Sequence, residues 1–261
     1  MSQTSWVSYR VKERIATITL NRPDALNAMN RDVLQQLAGC LDQAKADGDA
    51  DAVVITAVGD KVFSAGADIK FLNRASALQV RELAEMATTV THKIENLGKV
   101  VIAAINGHAL GGGLEIAEAC MLRVAASGAL LGHPEVKIGA VAGFGGTTRL
   151  PRLIGKGRAA DMLLTGRLVT AEEALSMGLV NRVVPFTRLM DETHALLQDI
   201  LSQSPQAVKL TWEALHRGLD LPIDASAQLG ADYFGLAAST EDFRIGTSAF
   251  INKTQASFIG K

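Results

Sequence analysis

Residues 101–117 read Val-Ile-Ala-Ala-Ile-Asn-Gly-His-Ala-Leu-Gly-Gly-Gly-Leu-Glu-Ile-Ala. The apolar, partly β-branched run at 101–105 predicts a buried strand. The glycines at 111–113 then lead into a helix over about 112–119. A helix start aims unpaired backbone N–H groups outwards, and the helix dipole adds partial positive charge there. Three residues without a Cβ let a ligand reach those amides. Such a site suits a phosphate, a carboxylate or a developing oxyanion. The run has neither the Gly-x-x-x-x-Gly-Lys-Ser/Thr nor the Gly-x-Gly-x-x-Gly arrangement, so nucleotide binding by those devices is disfavoured.

Outward from this stretch, strands and helices alternate. Strand patterns fall at 11–20, 51–58, 100–105, 122–126, 129–131 and 179–184. Helical patterns fall at 30–46, with Asn30 as its cap, and at 77–96, 112–119, 156–164, 171–176 and 187–202. A glycine-rich loop, 139–146, opens a further helix carrying Leu150 and Leu153. The alternation predicts an α/β fold whose sheet faces are covered by helices. From Ser204 onward nothing reads as strand, which divides the chain into a core at 1–203 and a helical C-terminal region at 204–261. No internal repeat is evident from the sequence.

Composition narrows the function classes. The chain has 261 residues, 48% hydrophobic and 20% charged, enough to bury a large core and unlike a disordered chain. The formal net charge of −1 gives no basic surplus for nucleic acid or an acidic membrane. No segment reaches the ~18 uninterrupted apolar residues of a membrane span. The start of the chain shows no long apolar run or cleavage signature, so a cytoplasmic protein is expected. Cys40 and Cys120 make neither a disulfide framework nor a metal motif, and read as two small buried hydrophobes. The histidines at 92, 108, 133, 194 and 216 show no zinc spacing, so no metal is expected.

Two glutamates carry the candidate chemistry. Glu115 lies three residues past Gly112, on the same helix face one turn in. It could be a solvent-facing first-turn glutamate favoured by the dipole. Its neighbours Leu114, Ile116 and Ala117 argue instead for a mostly buried helix, where a carboxyl would exchange protons near neutrality. Glu135 follows Pro134, a pair that also commonly starts a helix. Two carboxylates beside an oxyanion-binding helix start suggest paired acid and base work. A glycosidase would use the same pair, but its sugar platforms are aromatic, and only 5% of residues here are. The loop Lys61 to Lys70 has small residues at 64–67, so backbone can again approach a ligand, and Asp68 reads as an N-cap. Ser64 lacks a Gly-x-Ser-x-Gly elbow and is not read as a nucleophile. His133, two residues before Glu135, is read as a satisfied structural histidine in preference to one that tunes Glu135.

Taken in order, these segments resemble the crotonase (enoyl-CoA hydratase/isomerase) superfamily, most closely its hydratase branch. The resemblance spans nearly the whole chain. It is carried by Asn21-Arg-Pro23 with Asn27-Ala28, Phe63–Asp68, Ala103–Gly107, Ala109–Glu115, Pro134-Glu135 and Gly143-Phe-Gly-Gly-Thr147. Leu164-Thr-Gly166, the Ala171, Ala174 and Gly178-Leu-Val180 pattern, and Thr240-Glu-Asp242 with Ala249-Phe250 complete it.

The resemblance implies a spiral of ββα units with a helical C-terminal trimerisation region, assembled as a homotrimer or as a homohexamer of two trimers. It implies a catalytic set of Glu115, Glu135, Ala67, Gly112 and Gly143. The Ala67 and Gly112 amides would form the oxyanion hole, and the Gly143 backbone would help place the reacting groups. It further implies that Ala65, Ala67, Asp68, Ile69, Lys70 and Gly112 meet the acyl-CoA substrate, with Phe250 and Lys253 covering its adenine–ribose end. No cofactor is implied beyond the coenzyme A that belongs to the substrate. An enoyl-CoA double-bond isomerase of the same fold commonly uses one carboxylate, so retention of both glutamates favours hydration. A non-catalytic RNA- or protein-binding relative would be expected to show a basic helix, and 77–96 is not strongly basic. Ala142, His133 and Arg244 stand where the family often has proline, glutamine and glutamate, which leaves the acyl chain open.

Overall fold

A computed structural model describes residues 5–261. The chain divides into two compact units, Met1–Thr193 and His194–Lys261. Residues 1–4, which open the expected core and the expected leaderless start, lie outside the described residues.

The first unit begins with strands β1 (Val7–Lys12) and β2 (Ile15–Leu20) and helix α1 (Arg31–Ala46). Then follow β3 (Ala52–Ala57), β4 (Val62–Ser64), α2 (Ile69–Leu72) and α3 (Ala77–Glu95). Next come β5 (Val100–Ile105), β6 (His108–Leu110), α4 (Gly112–Ala119), β7 (Leu122–Ala126) and β8 (Leu130–Gly132). A 3₁₀ turn at Glu135–Ile138 precedes α5 (Gly146–Ile154), α6 (Lys156–Thr165), β9 (Leu168–Thr170), α7 (Ala171–Met177) and β10 (Arg182–Val184). Helix α8 spans Leu189–Leu201. The second unit adds α9 (Pro205–Gly218), α10 (Ile223–Ala238) and α11 (Glu241–Asn252) and, among the described residues, no strand.

Two sheets organise the first unit. One has six strands in the order β1-β2-β3-β5-β7-β10, and the other four in the order β4-β6-β8-β9. From β3 to β8 each pass of the chain lays one strand in the first sheet, the next in the second, then turns into helix, whereas β9 joins the second sheet and β10 the first with α7 between them. The pairs β3/β4, β5/β6 and β7/β8 repeat this step, which is the ββα spiral. The six-stranded sheet is parallel except at β1/β2. Every residue of β3 and β5 is buried, as expected for parallel strands covered on both faces. Helix α1 covers the sheet with Val33, Leu34, Leu37 and Leu41, all buried, and Asn30 caps it by accepting the Val33 N–H at 2.9 Å.

The structure differs from the sequence expectation in three places. The expected strand 11–20 is a hairpin, β1 and β2, turned by Glu13 and Arg14, whose φ angles of 51° and 62° suit a tight two-residue connection. The short strand β4 sits in a segment read as a loop, and β6 and β9 in segments given no strand. They are held by partners distant in sequence, Val62 against His108, Ala109 against Leu131, and Leu131 against Val169. The last strand shortens to Arg182–Val184.

Candidate active site

Helix α4 is the axis of the site. All eight of its residues are buried, and Glu115 is 1% exposed, so the solvent-facing reading of that glutamate fails. Burial of an anion demands partners, and Glu115 has them. Its Oε1 accepts the backbone N–H groups of Phe144 at 2.8 Å and Gly146 at 2.7 Å. Burial pushes its carboxyl from the ordinary 4.5 up to about 7. The Gly146 hydrogen bond and the nearby His133 favour the charged form and limit the rise. Glu115 therefore exchanges its proton near neutrality.

The loop that delivers those two donors is itself braced. Arg149 of α5 makes a two-point contact with Glu95 of α3, Nε to Oε1 at 2.6 Å and Nη2 to Oε2 at 2.7 Å, and also donates to the Phe144 carbonyl at 3.3 Å. Gly143 makes no hydrogen bond to either glutamate among the described residues; its neighbours Phe144 and Gly146 do. Backbone donors carry no side-chain signature, and for that reason the sequence pointed to the glycine-rich segment without resolving which amides act.

The second loop, 65–68, lies against the start of α4. Gly66 has φ +98°, and a Cβ there would sit 3.0 Å from the Leu110 carbonyl oxygen and 3.3 Å from the Gly112 nitrogen. Only glycine tolerates both the angle and the approach. The loop is pinned on either side of Ala67. Ala65 donates to Leu26, Met29 donates to Gly66, and Asp68 donates to Met29. The N–H groups of Ala67 and Gly112 donate to no backbone carbonyl among the described residues. A Cβ on Gly112 would lie 2.6 Å from the Phe144 ring and 3.5 Å from the Ala67 nitrogen, so these two free donors belong to one small region.

Glu135 opens the 3₁₀ turn after Pro134, and its carboxylate covers the other side of the helix start. Gly111 has φ +47°, and a Cβ there would meet Glu135 Oε1 at 2.5 Å, so the carboxylate lies directly against the helix start. Glu135 Oε2 is buried with no hydrogen-bond partner. The two glutamates, the two free amides and the glycines at 111–112 thus converge around the N-terminus of α4.

Other sequence candidates are placed as follows. Asp68 caps α2, accepting the Lys70 and Phe71 N–H groups, and pairs with Arg22 at 2.8 Å. Burial opposes its charge, yet Arg22 and the cap hold its carboxyl below the usual value. Its carboxylate is therefore committed to structure. Ala65 is half-buried, while Ile69 and Lys70 are exposed on α2. Phe250 and Lys253 belong to the second unit, Phe250 exposed on α11 and Lys253 closing that helix with φ 53°. Ser64 is fully buried, its Oγ donating to the Asn27 carbonyl at 2.8 Å, and is not a nucleophile. Cys40 and Cys120 are free thiols. No group of His, Cys, Asp and Glu able to hold a metal occurs among the described residues.

With this geometry established, likeness to known proteins is specific. A family model for enoyl-CoA hydratase/isomerase matches residues 10–261. The chain belongs to the enoyl-CoA hydratase/isomerase family. Within it, the crotonyl-CoA hydratase of Syntrophomonas wolfei is 43% identical over 250 residues, 96% of each chain. The short-chain-enoyl-CoA hydratase of Clostridium acetobutylicum is 42% identical over 240 residues, 92% of each chain. The crystal structure of an enoyl-CoA hydratase from Bacillus anthracis superposes with a TM-score of 0.93 at 36% identity, over 98% of this chain and 100% of that one. The fold is the crotonase fold, as the ordered motifs implied.

Proposed function

We propose that this chain is an enoyl-CoA hydratase, adding water reversibly across the 2,3 double bond of an enoyl-CoA thioester. One observation carries the reading. Two carboxylates, one buried and able to exchange its proton near pH 7, meet two unpaired backbone N–H groups at the start of a buried helix.

In this reading the thioester oxygen accepts hydrogen bonds from the Ala67 and Gly112 amides. Water is held between Glu115 and Glu135. The ionised member of the pair takes a proton from water as its oxygen bonds to C3. The C2–C3 π electrons move to give an enolate, and the negative charge settles on the thioester oxygen. The protonated member then supplies a proton to C2, which completes the hydroxyacyl thioester and conserves the proton count. The active form of the pair carries one proton, as acid–base work near neutrality requires. Each oxyanion donor of this kind typically contributes ~3–4 kcal/mol to lowering the barrier. Every step is a proton transfer or an addition, so the reading calls on no further cofactor.

Ala65, Ala67, Asp68, Ile69, Lys70 and Gly112 form the substrate loop in this proposal, with Asp68 shaping it and Lys70 offering a cation to the phosphates. Phe250 and Lys253 are assigned to the adenine–ribose end. Trimers or hexamers are supported by large apolar side chains exposed on the second unit, among them Ile223, Phe234, Phe250 and Ile251. A cytoplasmic location belongs to the same proposal; no helix among the described residues is long and apolar enough to cross a membrane. The hydratase relatives make crotonyl-CoA the first substrate to try. Mixing pure protein with it should bleach the conjugated-thioester absorbance. A folded protein that binds coenzyme A yet leaves crotonyl-CoA and longer or aromatic enoyl-CoAs unchanged overturns the reading.

A further inference from the structure

Three residues beyond Glu115 on α4 lies Glu118, 4% exposed, and facing it is His133, 1% exposed. His133 Nε2 and Glu118 Oε1 are 2.8 Å apart. The opposite ring nitrogen, Nδ1, points towards Glu135, whose Oε1 is 3.8 Å away. Both ring nitrogens therefore face carboxylates, an arrangement satisfied when both carry protons. Yet His133 Nδ1 and Glu135 Oε2 are each buried without a hydrogen-bond partner. Buried polar groups are rarely left unpaired, and those that are often mark a working site. The expectation of a fully satisfied structural histidine thus holds for Nε2 and fails for Nδ1.

The surroundings favour a charged ring. Glu115 and Glu118 on α4 and Glu135 on the 3₁₀ turn are three carboxyls in electrostatic contact with this ring. Arg149, paired with Glu95, and the buried Arg123 are the other charges that reach Glu118. Burial disfavours a charged His133, but the charge and hydrogen bond of Glu118, with Glu135 beyond, outweigh it and lift the ring to about 10. The imidazolium persists through neutrality. The ring also fits tightly, because a Cβ on Gly146 would meet His133 Cε1 at 2.8 Å and Glu115 Cγ at 3.1 Å.

We infer that His133, clamped by Glu118, is a positioning residue for Glu135: its Nδ1–H holds that carboxylate over Gly111. In chain order the unit is Glu118, His133, Glu135, a carboxylate orienting an imidazolium that orients the reacting carboxylate. A short movement of Glu135 closes the 3.8 Å gap to a hydrogen bond. Apo geometries of reacting groups are often this loose. The inference rests on the hydratase reading for its kinetic consequences, but not for the contact itself.

Two arms test it. In the first, nitrogen-15 NMR follows the histidine rings in the wild type, Glu118→Gln and Glu135→Gln, with His133→Gln supplying the assignment. Both His133 nitrogens should be protonated at pH 8 in the wild type. The ring's titration midpoint should fall by more than one pH unit in Glu118→Gln and by about one in Glu135→Gln. A midpoint that Glu135→Gln leaves unmoved overturns the inference, whatever the enzyme's activity. In the second arm, His133→Gln should lower kcat for crotonyl-CoA roughly ten- to hundredfold, less than the ~10²–10⁴ expected for losing a reacting carboxyl. KM should stay within about threefold.

Removing the cation should also move both limbs of the bell-shaped kcat/KM profile about one unit to higher pH, because a nearby positive charge favours ionised carboxylates. Glu118→Gln keeps shape and should shift the profile in the same direction, which covers failure of the histidine variant to fold. Lower thermal stability with an unmoved profile would make the pair merely structural and overturn the inference. Absence of turnover in the wild type refutes the hydratase reading instead, and the NMR arm then still decides the contact.

Discussion

Glu115→Gln separates catalysis from stability at a single atom. Gln keeps the shape, and its Oε1 can still accept the Phe144 and Gly146 N–H groups that Glu115 holds at 2.8 and 2.7 Å. It cannot exchange a proton. The loss of one acid–base group is worth ~10²–10⁴ in turnover, or about 3–5 kcal/mol of barrier. Stability should move the other way. Lifting the Glu115 carboxyl from 4.5 to about 7 means that ionising it disfavours the folded state by about 3 kcal/mol.

The sign follows from the raised value. The folded state binds this proton more tightly than the unfolded one, so its contribution is intact below pH 4.5 and is lost as pH rises through about 7. Glu115→Gln has no proton to lose. It should match the wild type within about 1 kcal/mol at pH 5 and exceed it by about 3 kcal/mol at pH 8. Urea unfolding at the two pH values, at matched protein concentration, measures the difference, and crotonyl-CoA turnover measures the loss. A stability difference that does not grow with pH, or turnover within tenfold of wild type, refutes the reasoning.

Two further outcomes are expected. Gly107→Ala should fail to fold or lose about 3 kcal/mol or more by urea unfolding, because its Cβ would lie 2.2 Å from the backbone carbonyl carbon of Lys61. Wild-type stability in this variant would contradict the close approach of the two loops. The Cys120 thiol, fully buried and pushed up to about 12 chiefly by burial, should resist a thiol reagent at pH 8 in the folded protein and react only on unfolding. Rapid labelling at Cys120 under native conditions would show that α4 opens readily.

The residues explain how much was legible beforehand. Helix α1 declares itself through the Asn30 cap joined to an apolar stripe and α3 through its helical pattern, both local signals, while the Ser76 capping box of α3 emerged only in the structure. The buried setting of Glu115 was readable from Leu114, Ile116 and Ala117, its neighbours on α4. Strands β4, β6 and β9 were not readable. Each is three residues long, and pairing with strands far along the chain decides them. Within the site, both glutamates and the two glycine-bearing loops stood out by residue type. What remained hidden was contact across the fold: the Phe144 and Gly146 amides on Glu115, Glu135 lying over Gly111, and Glu118 behind His133. Glu118 alone had a usable signal, since i and i+3 on one helix share a face and Glu115 was already in view.

The most direct test of the central claim is turnover of crotonyl-CoA in oxygen-18 water, read by mass spectrometry. The expected product is a 3-hydroxyacyl-CoA with the heavy oxygen at C3, formed by the wild type and slowed by orders of magnitude in Glu115→Gln and Glu135→Gln. Unchanged substrate, or an isomerised enoyl-CoA without heavy oxygen, would contradict the claim.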